Sequence, residues 1–336
     1  MTPPSFKHLH FLVTGGAGYI GSHLVKALKL MGARITVLDD LSNGHADAVP
    51  GATLVQTSLN NEDVLNQLFT HNQFDGVFHF ASFIQVSESV TDPLKYYENN
   101  ISNTLVLLKV MQQHGVQRLV FSSTAAIFGL PQSAAIDELH PKHPINPYGN
   151  SKKIVEDILA DMDLAYGFKS VCLRYFNAAG ADPEGELGER HNPETHLIPI
   201  VLEVAAGKRP FVSINGNDYD THDGTCVRDY VHVSDLAQAH LLAYAHMKST
   251  GQSHQFNLGN NKGYSILEVI QSVERVTGKK IPMQFGSRRT GDPAVLVADS
   301  SKIKNVLGWQ PVYSELDKIV SHAWAWEQRS SALIKP

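Results

Sequence analysis

Cysteine is nearly absent: only Cys172 and Cys226 occur in 336 residues. Two thiols cannot build a disulfide framework, and their scarcity points to a reducing compartment, so the chain reads as cytoplasmic. An excess of one charge is also lacking, since 28 Lys and Arg stand against 33 Asp and Glu, a formal −5. That balance offers no broad polyanion-binding surface and argues against a nucleic-acid partner. No apolar run is long enough to span a bilayer and no hydrophobic leader precedes Phe11, so no membrane partner is expected. Metal-ligand spacing is missing too. Seventeen histidines are scattered without a His-Glu-x-x-His or a Cys-x-x-Cys pair, and they read as surface and core residues with no metal. No internal repeat or low-complexity segment interrupts the chain. What is present, 43% hydrophobic and 18% charged residues, is the composition of a globular protein able to bury a large core.

The first half alternates short continuous apolar runs with longer amphipathic ones. HLHFLVT, ARITVLDD, ATLVQTSL, GVFHFAS, RLVFSST and SVCLRYFN read as six strands. Helices are expected between them over 18–30, 61–71 (capped by Asn60 or Asn61), 93–114 and 151–167. Apolar strands alternating with helices imply a parallel sheet covered on both faces, the doubly wound, Rossmann-like α/β class. After Asn177 the run AAGADPEGELGERHNPETH is rich in Gly, Pro and charge and reads as a boundary loop. A helix over 198–207, strands near Phe211 and over 254–258, and a helix over 266–277 then suggest a second, smaller α/β domain. The expected division is 1–177 for a dinucleotide and 178–336 for the substrate, with about 228–258 packing back on the first domain.

FLVTGGAGYIGSHL puts Gly15, Gly18 and Gly21 three apart between the first strand and the first helix. Glycines there permit a tight turn and let backbone amides approach a pyrophosphate at the positive end of the helix. The segment lacks the Lys-Ser/Thr ending of a nucleoside-triphosphate loop. Asp39 ends the second strand, near the roughly 20-residue offset at which a carboxylate accepts the adenosine ribose hydroxyls. No Lys or Arg between Asp40 and Thr57 could receive a 2′-phosphate, which favours NAD over NADP.

In NPYGNSKKIVE, Tyr148 and Lys152 stand four apart at the start of a helix and therefore on one face. An ammonium beside a phenol is expected to lower its pKa, fitting Tyr148 for general-base work on a sugar or alcohol hydroxyl. Ser122, Ser123 and Thr124 end the fifth strand, where open α/β sheets place ligands, and offer hydroxyls to orient an oxygen. Together these features suggest hydride transfer between NAD and a carbinol.

TGGAGYIG, Asp39, Ser122-Ser123-Thr124 and Tyr148-x-x-x-Lys152 resemble the extended short-chain dehydrogenase/reductases. More narrowly, SESVTDPLKYYENN, LRYFNAAGADPEGELGE, ETHLIP and DGTCVRDYVHVSDLA are similar to the UDP-glucose (UDP-galactose) 4-epimerases, over nearly the whole chain. The resemblance implies an isomerase that passes through a 4-keto sugar, with Tyr148, Lys152 and Thr124 as catalytic residues. It implies an NAD site of Gly15, Gly18, Tyr19, Ile20, Gly21, Asp39, Asp40, Ser58, Leu59, Phe80, Ala81, Asn99, Ser122, Tyr148, Lys152 and Phe176. The UDP-sugar would meet Thr124, Tyr148, Asn177, His196, Leu197, Asn215, Arg228, Arg289, Asp292 and Leu296. Ser58 and Asn215 depart from the family's usual Asp and aromatic residue, Ile84 takes a slot often held by Lys, and the bulk of Leu296 bears on whether an N-acetyl group fits. A homodimer is implied as well, joined through the helices over 93–114 and 151–166, with Ile101, Leu105 and Leu108 as the apolar stripe. Other readings are a 4-epimerase of a UDP-N-acetylhexosamine or UDP-pentose, a nucleotide-sugar oxidoreductase, or a non-catalytic NAD-binding regulator. A dehydratase would need an acid after Thr124, where Ala125 and Ala126 stand.

Overall fold

The computed structural model describes residues 6–289 and 291–333. In chain order the first elements are β1 (His10–Thr14), α1 (Tyr19–Leu30), β2 (Arg34–Asp39), β3 (Thr53–Gln56), α2 (Glu62–His71) and β4 (Gly76–His79). There follow α3 (Val86–Thr91), α4 (Pro93–Tyr97), α5 (Asn103–Gln113), β5 (Arg118–Thr124), α6 (Pro147–Tyr166), β6 (Lys169–Tyr175) and β7 (Asn177–Ala179). The remainder is α7 (Leu197–Ala205), β8 (Val212–Asn215), β9 (Val227–His232), α8 (Val233–Thr250), β10 (His254–Leu258), β11 (Gly263–Ser265) and α9 (Ile266–Thr277), then β12 (Met283–Gly286), β13 (Val295–Leu296), α10 (Ser301–Leu307) and α11 (Leu316–Leu333).

Seven strands make one parallel sheet in the order β3-β2-β1-β4-β5-β6-β10. Alternate residues of each apolar run serve opposite faces, as a period of two requires. Phe11, Val13, Val37, Phe78 and Val120 pack with α1 and α8, in the core that holds Leu24, Leu236 and Tyr244. Leu12, Leu38, Val77 and Phe121 face the other way, toward Leu65, Leu107, Val155 and Leu159 of α2, α5 and α6. This is why the strands show no polar alternation. Strand order reverses between β1 and β4, which opens a crevice at their C-terminal ends, the usual ligand position in this class.

The run expected as one helix over 93–114 is interrupted. Between α4 and α5 the residues Glu98–Ser102 form a wider π turn. Buried Asn100 lies in it: its amide oxygen accepts the Phe83 N–H at 2.9 Å, and its amide nitrogen donates to Phe83 O and to Ser151 Oγ, both at 3.1 Å. Such turns occur often at functional sites, and apolar periodicity could not reveal this one. The expected stripe divides in the same region. Leu108 is buried and Ile101 packs inward, whereas Leu105 stays exposed, as do Val90 of α3, Leu94 of α4 and Leu164 of α6.

The smaller body pairs β11-β9-β13, sets β7 beside β9, and joins β8 to β12. Its core comes from α7, α9 and α11 through Val201, Val269 and Ile319. The chain crosses back more extensively than the 228–258 expected. Besides α8 and β10, Ile303 and Leu307 of α10 and the fully buried Trp309 belong to the large core, and the Trp309 indole donates to Asp235 O at 3.0 Å. Among the described residues no helix is long and apolar enough to cross a membrane.

Candidate active site

The glycine turn closes β1 onto α1. Gly15 has φ +68°, and a Cβ there would lie 2.5 Å from Ala81 N beyond β4; a Cβ on Gly21 would lie 2.3 Å from Gly15 O. Both are demanded by the protein's own packing. Gly18 is different: its φ of −77° and ψ of 179° suit any residue, and a Cβ would meet only Gly15 O at 3.4 Å. Its bareness leaves a cradle at the first turn of α1, where free N–H groups and the helix dipole suit a pyrophosphate. Asp39 lies beside it, accepting N–H bonds from Ala17 and Leu41 at 2.9 Å each. Burial raises the Asp39 carboxyl while those two bonds work the other way. The residues present therefore fit NAD.

The cradle makes a prediction. Gly21→Ala should destabilise the protein by about 1–3 kcal/mol through overpacking. Gly18→Ala should cost under about 1 kcal/mol, the scale of an N-cap change, yet abolish tight NAD binding. Urea unfolding of nucleotide-free protein and NAD titration separate the two; a Gly18→Ala protein that keeps wild-type NAD affinity would remove the cradle argument.

Tyr148 stands in the first turn of α6, which starts cleanly because the Asn146 side chain accepts the Gly149 N–H at 2.8 Å and Pro147 needs no partner there. Gly149 lets the helix touch the turn after β5, since a Cβ would fall 2.4 Å from Ala126 O. That approach brings the Tyr148 phenol to the side chain of Thr124, whose Oγ1 accepts the Ala126 N–H at 3.1 Å. Burial raises the phenol above its ordinary value, and Thr124 acts against the shift.

Lys152, one turn on, is buried and donates to Ser82 Oγ at 2.7 Å and Ser122 O at 2.8 Å, with its ammonium 4.8 Å above the Phe121 ring. Burial lowers it to about 7. This corrects one expectation. Lys152 shares a helix face with Tyr148, but its ammonium is directed to β5 and Ser82, and the phenol is raised rather than lowered. The three hydroxyls closing β5 also separate, because strand side chains alternate. Ser122 Oγ accepts from the Tyr175 hydroxyl and Ser123 Oγ donates to Glu156 at 2.6 Å, whereas Thr124, whose Oγ1 accepts the Ala126 N–H at 3.1 Å, is the one that acts on Tyr148.

The other residues expected to meet NAD lie in α1, in the π turn, and in the turns after β2, β3 and β4. Phe80 and Ala81 follow β4, both donating N–H bonds to Thr14 O, and Asn99 lies in the π turn, its amide donating to Asn100 Oδ1 at 3.0 Å. Ile20 packs against the large core and Leu59 is buried against α2. Ser58 closes a turn by accepting the Asn61 N–H. Asp40 is exposed and tied to Ser42. The Tyr19 hydroxyl donates to Gly180 O at 2.6 Å.

Residues expected at the UDP-sugar lie on the second sheet and nearby loops. Asn177 opens β7 and donates to Asp229 O at 2.9 Å. Phe176 and Leu296 pack on one small apolar cluster with Ile127, Phe128 and Ile136. Arg228 pairs with Leu296 in register across β9 and β13, and its guanidinium donates to Asp292, so two expected ligand groups hold each other. Asn215 ends β8; Arg289 is exposed. His196 caps α7 just before Leu197, its Nδ1 2.7 Å from Glu189. Burial works against a charged ring there, but Glu189 and Glu194 hold His196 up to about 10.

Glu156 was not singled out from sequence. It sits four residues past Lys152, and its carboxylate accepts Ser123 Oγ and Arg174 Nε, at 2.6 and 2.8 Å, while its other oxygen accepts Arg174 Nη2 at 2.6 Å. It fastens the face of α6 that carries Tyr148 and Lys152 to β5 and β6. The repeat of four from 148 through 152 to 156 was the available signal.

Residues 11–259 match the NAD dependent epimerase/dehydratase family. The chain is 51% identical over 317 residues to a UDP-glucose 4-epimerase of Halalkalibacterium halodurans, covering 94% of this chain and 95% of that protein. Its structure is similar to that of UDP-glucose 4-epimerase from Brucella ovis in complex with NAD, with TM-score 0.92, 46% identity, and 94% and 97% of the two chains covered. It is also similar to UDP-glucose 4-epimerase from Bifidobacterium longum in complex with NAD+ and UDP, with TM-score 0.92, 38% identity, and 96% and 99% covered.

Proposed function

Since the chain belongs to the NAD dependent epimerase/dehydratase family, we infer that it is an NAD-dependent isomerase inverting C4 of a UDP-sugar, with UDP-glucose and UDP-galactose as the pair. The observation that carries the reading is the Tyr148 phenol set against Thr124 at the C-terminal end of β5, on the sheet edge that also bears the Gly18 cradle. Bound NAD supplies a reversible acceptor for the C4 hydride. Tyr148 takes the 4-OH proton as the carbinol becomes a ketone, and returns it when the turned sugar is reduced on its other face. Thr124 donates to the reacting oxygen and keeps it in reach of the phenol. Lys152, with Ser82 and Ser122 as its present partners, holds the nicotinamide ribose. Elimination is disfavoured because Ala125 and Ala126 follow Thr124 in a buried turn and offer no acid.

The rest of the NAD and UDP-sugar residues described above complete this reading, with 1–177 as the dinucleotide domain and 178–336 as the substrate domain. The Arg228 guanidinium, released from Asp292, and Arg289 would fork onto the diphosphate. Phe176 and Leu296 would bound the sugar, leaving room for a hexose. The test is to denature the purified protein, identify the released nucleotide, and assay a panel of UDP-sugars. NAD+ with 4-epimer formation from UDP-glucose and no net cofactor reduction is expected. Stoichiometric reduction of the cofactor would indicate an oxidoreductase instead.

A cytoplasmic location belongs to the same reading, both cysteines being free and buried. So does a homodimer through the helices that expose Val90, Leu94, Leu105 and Leu164. Light scattering at micromolar concentration should give about twice the 36.9 kDa chain mass, and Leu94→Glu with Leu164→Glu should reduce it to one.

A further inference from the structure

At the edge of the proposed UDP-sugar site, with which it shares His196, the loop leading into α7 gathers two histidines and two glutamates within eight residues. Their donor atoms, one each from Glu189, His191, Glu194 and His196, all lie within 4.8 Å of one another. His191 Nδ1 is 2.9 Å from Glu189 Oε1 and 3.8 Å from Glu194 Oε2; His196 Nδ1 is 2.7 Å from Glu189 Oε1 and 3.3 Å from Glu194 Oε1. Ligand distances of about 2.0–2.1 Å give a tetrahedron with edges of about 3.3 Å, and the two edges to Glu189 Oε1, 2.9 and 2.7 Å, with one edge to a single Glu194 oxygen, 3.8 or 3.3 Å, straddle that value.

These contacts are not all aligned as hydrogen bonds. Glu189 Oε1 and His191 Nδ1 are both buried and neither has a hydrogen-bond partner, although they are 2.9 Å apart. Lone pairs converging on a common third point, instead of a ring N–H aimed at an oxygen, have this geometry. With both ring protons released on binding, two carboxylates and two imidazoles carry a formal charge of −2, the complement of a divalent ion.

The cluster is held from outside as a ligand set requires. Glu194 Oε1 accepts the N–H groups of Thr195 at 2.7 Å and His196 at 2.8 Å. The Trp326 indole donates to Glu189 O at 3.1 Å. His196, its side chain 44% exposed, leaves a way in. The other acidic group, Asp182, Glu184 and Glu186, lacks this character because Lys26 already lies within 3.0 Å of all three.

We propose that Glu189, His191, Glu194 and His196 form a site for one divalent transition ion of the zinc class. The mixed nitrogen and oxygen donors and the tetrahedral spacing favour zinc over magnesium or calcium, which take more oxygens. The ion would clamp the loop between the boundary segment and Leu197. Tyr19 of the glycine turn, with its ring edge-on to His191 at 6.4 Å, touches the same clamp. The spacing Glu-x-His-x-x-Glu-x-His matches neither motif sought in the sequence, and the convergence is a product of the loop's folding.

The test uses the intact chain, stripped with EDTA, desalted and titrated calorimetrically with zinc chloride. About one zinc per chain is expected, with affinity falling at least about tenfold in Glu189→Gln and in His191→Asn. Zinc should raise the thermal midpoint of the wild type and leave that of His191→Asn unchanged. Cobalt(II) bound by the wild type should give the intense visible bands of a four-coordinate ion, a readout that needs no variant to fold. His246→Asn is the control, since His246 and His254 bring their Nε2 atoms to 3.2 Å elsewhere on the molecule. The proposal is overturned by substoichiometric zinc in the wild type, by undiminished binding in His191→Asn, by loss that follows His246 instead, or by a weak six-coordinate cobalt spectrum.

Discussion

Tyr148→Phe should lower turnover by about a hundredfold to ten-thousandfold, the range for loss of a general base. The phenyl ring keeps the packing of the first turn of α6, so the change isolates the hydroxyl. The groups assigned to the uridine diphosphate lie on β9, β13 and the loops beside them, so UDP affinity should stay within about threefold of wild type, well under 1.4 kcal/mol. Thr124 refines the test. Its side chain lowers the Tyr148 pKa against the upward pull of burial. Thr124→Ala should therefore move the base-dependent limb of the pH–rate profile to higher pH, and Thr124→Ser should restore it. Near-normal turnover in Tyr148→Phe would falsify the assignment of the base.

The second large effect is on stability. Glu156→Gln should cost about 3–5 kcal/mol, because it leaves the Arg174 guanidinium buried beside a neutral partner. Both side chains are almost fully enclosed, at 2% and 1% exposure. Burial alone would raise the Glu156 carboxyl, but the Arg174 guanidinium and the Ser123 hydroxyl hold it below the usual carboxylate value. The folded-state pKa is thus depressed, so the pair's contribution is complete above the unfolded value of about 4.3 and is lost as pH falls through the folded value. Urea midpoints measured from pH 7 down to acid should fall in the wild type over that window, and Glu156→Gln should lack this component. Glu156→Leu with Arg174→Met should recover stability, since a well-packed apolar pair can replace a buried ion pair. If Glu156 also positions α6, turnover in that double variant should remain depressed after stability returns. Full recovery of both would make the pair purely structural.

Much of this molecule follows from local pattern. Six of the seven strands of the large sheet appear in the sequence as continuous apolar runs, because a parallel sheet covered on both faces buries every residue of its strands. The glycine turn, Asp39 and the pair Tyr148 and Lys152 are legible for the same reason. Each depends on residues close in sequence within a regular element, where periodicity fixes relative direction. Asn61, one of two candidate caps, is selected because its side chain reaches Val64 N–H.

Other features depend on partners far apart in the chain. The seventh strand, β10, joins the sheet from beyond residue 250, and α10 with Trp309 returns to the large core because that face of the sheet still had apolar area to cover. The direction of the Lys152 ammonium was decided by Ser82, 70 residues away, and by Ser122 O. Arg174 and Ser123 make Glu156, which no sequence motif marks, the buried anchor of the face of α6 that carries Tyr148. The π turn at Asn100 answers to Phe83 and Ser151. The sequence by itself determined which elements form and which chemistry they carry, since propensity, capping and apolar period act within a few residues. Only the tertiary structure decided where each charged or polar side chain points, because a buried polar group goes wherever its hydrogen bonds can be completed.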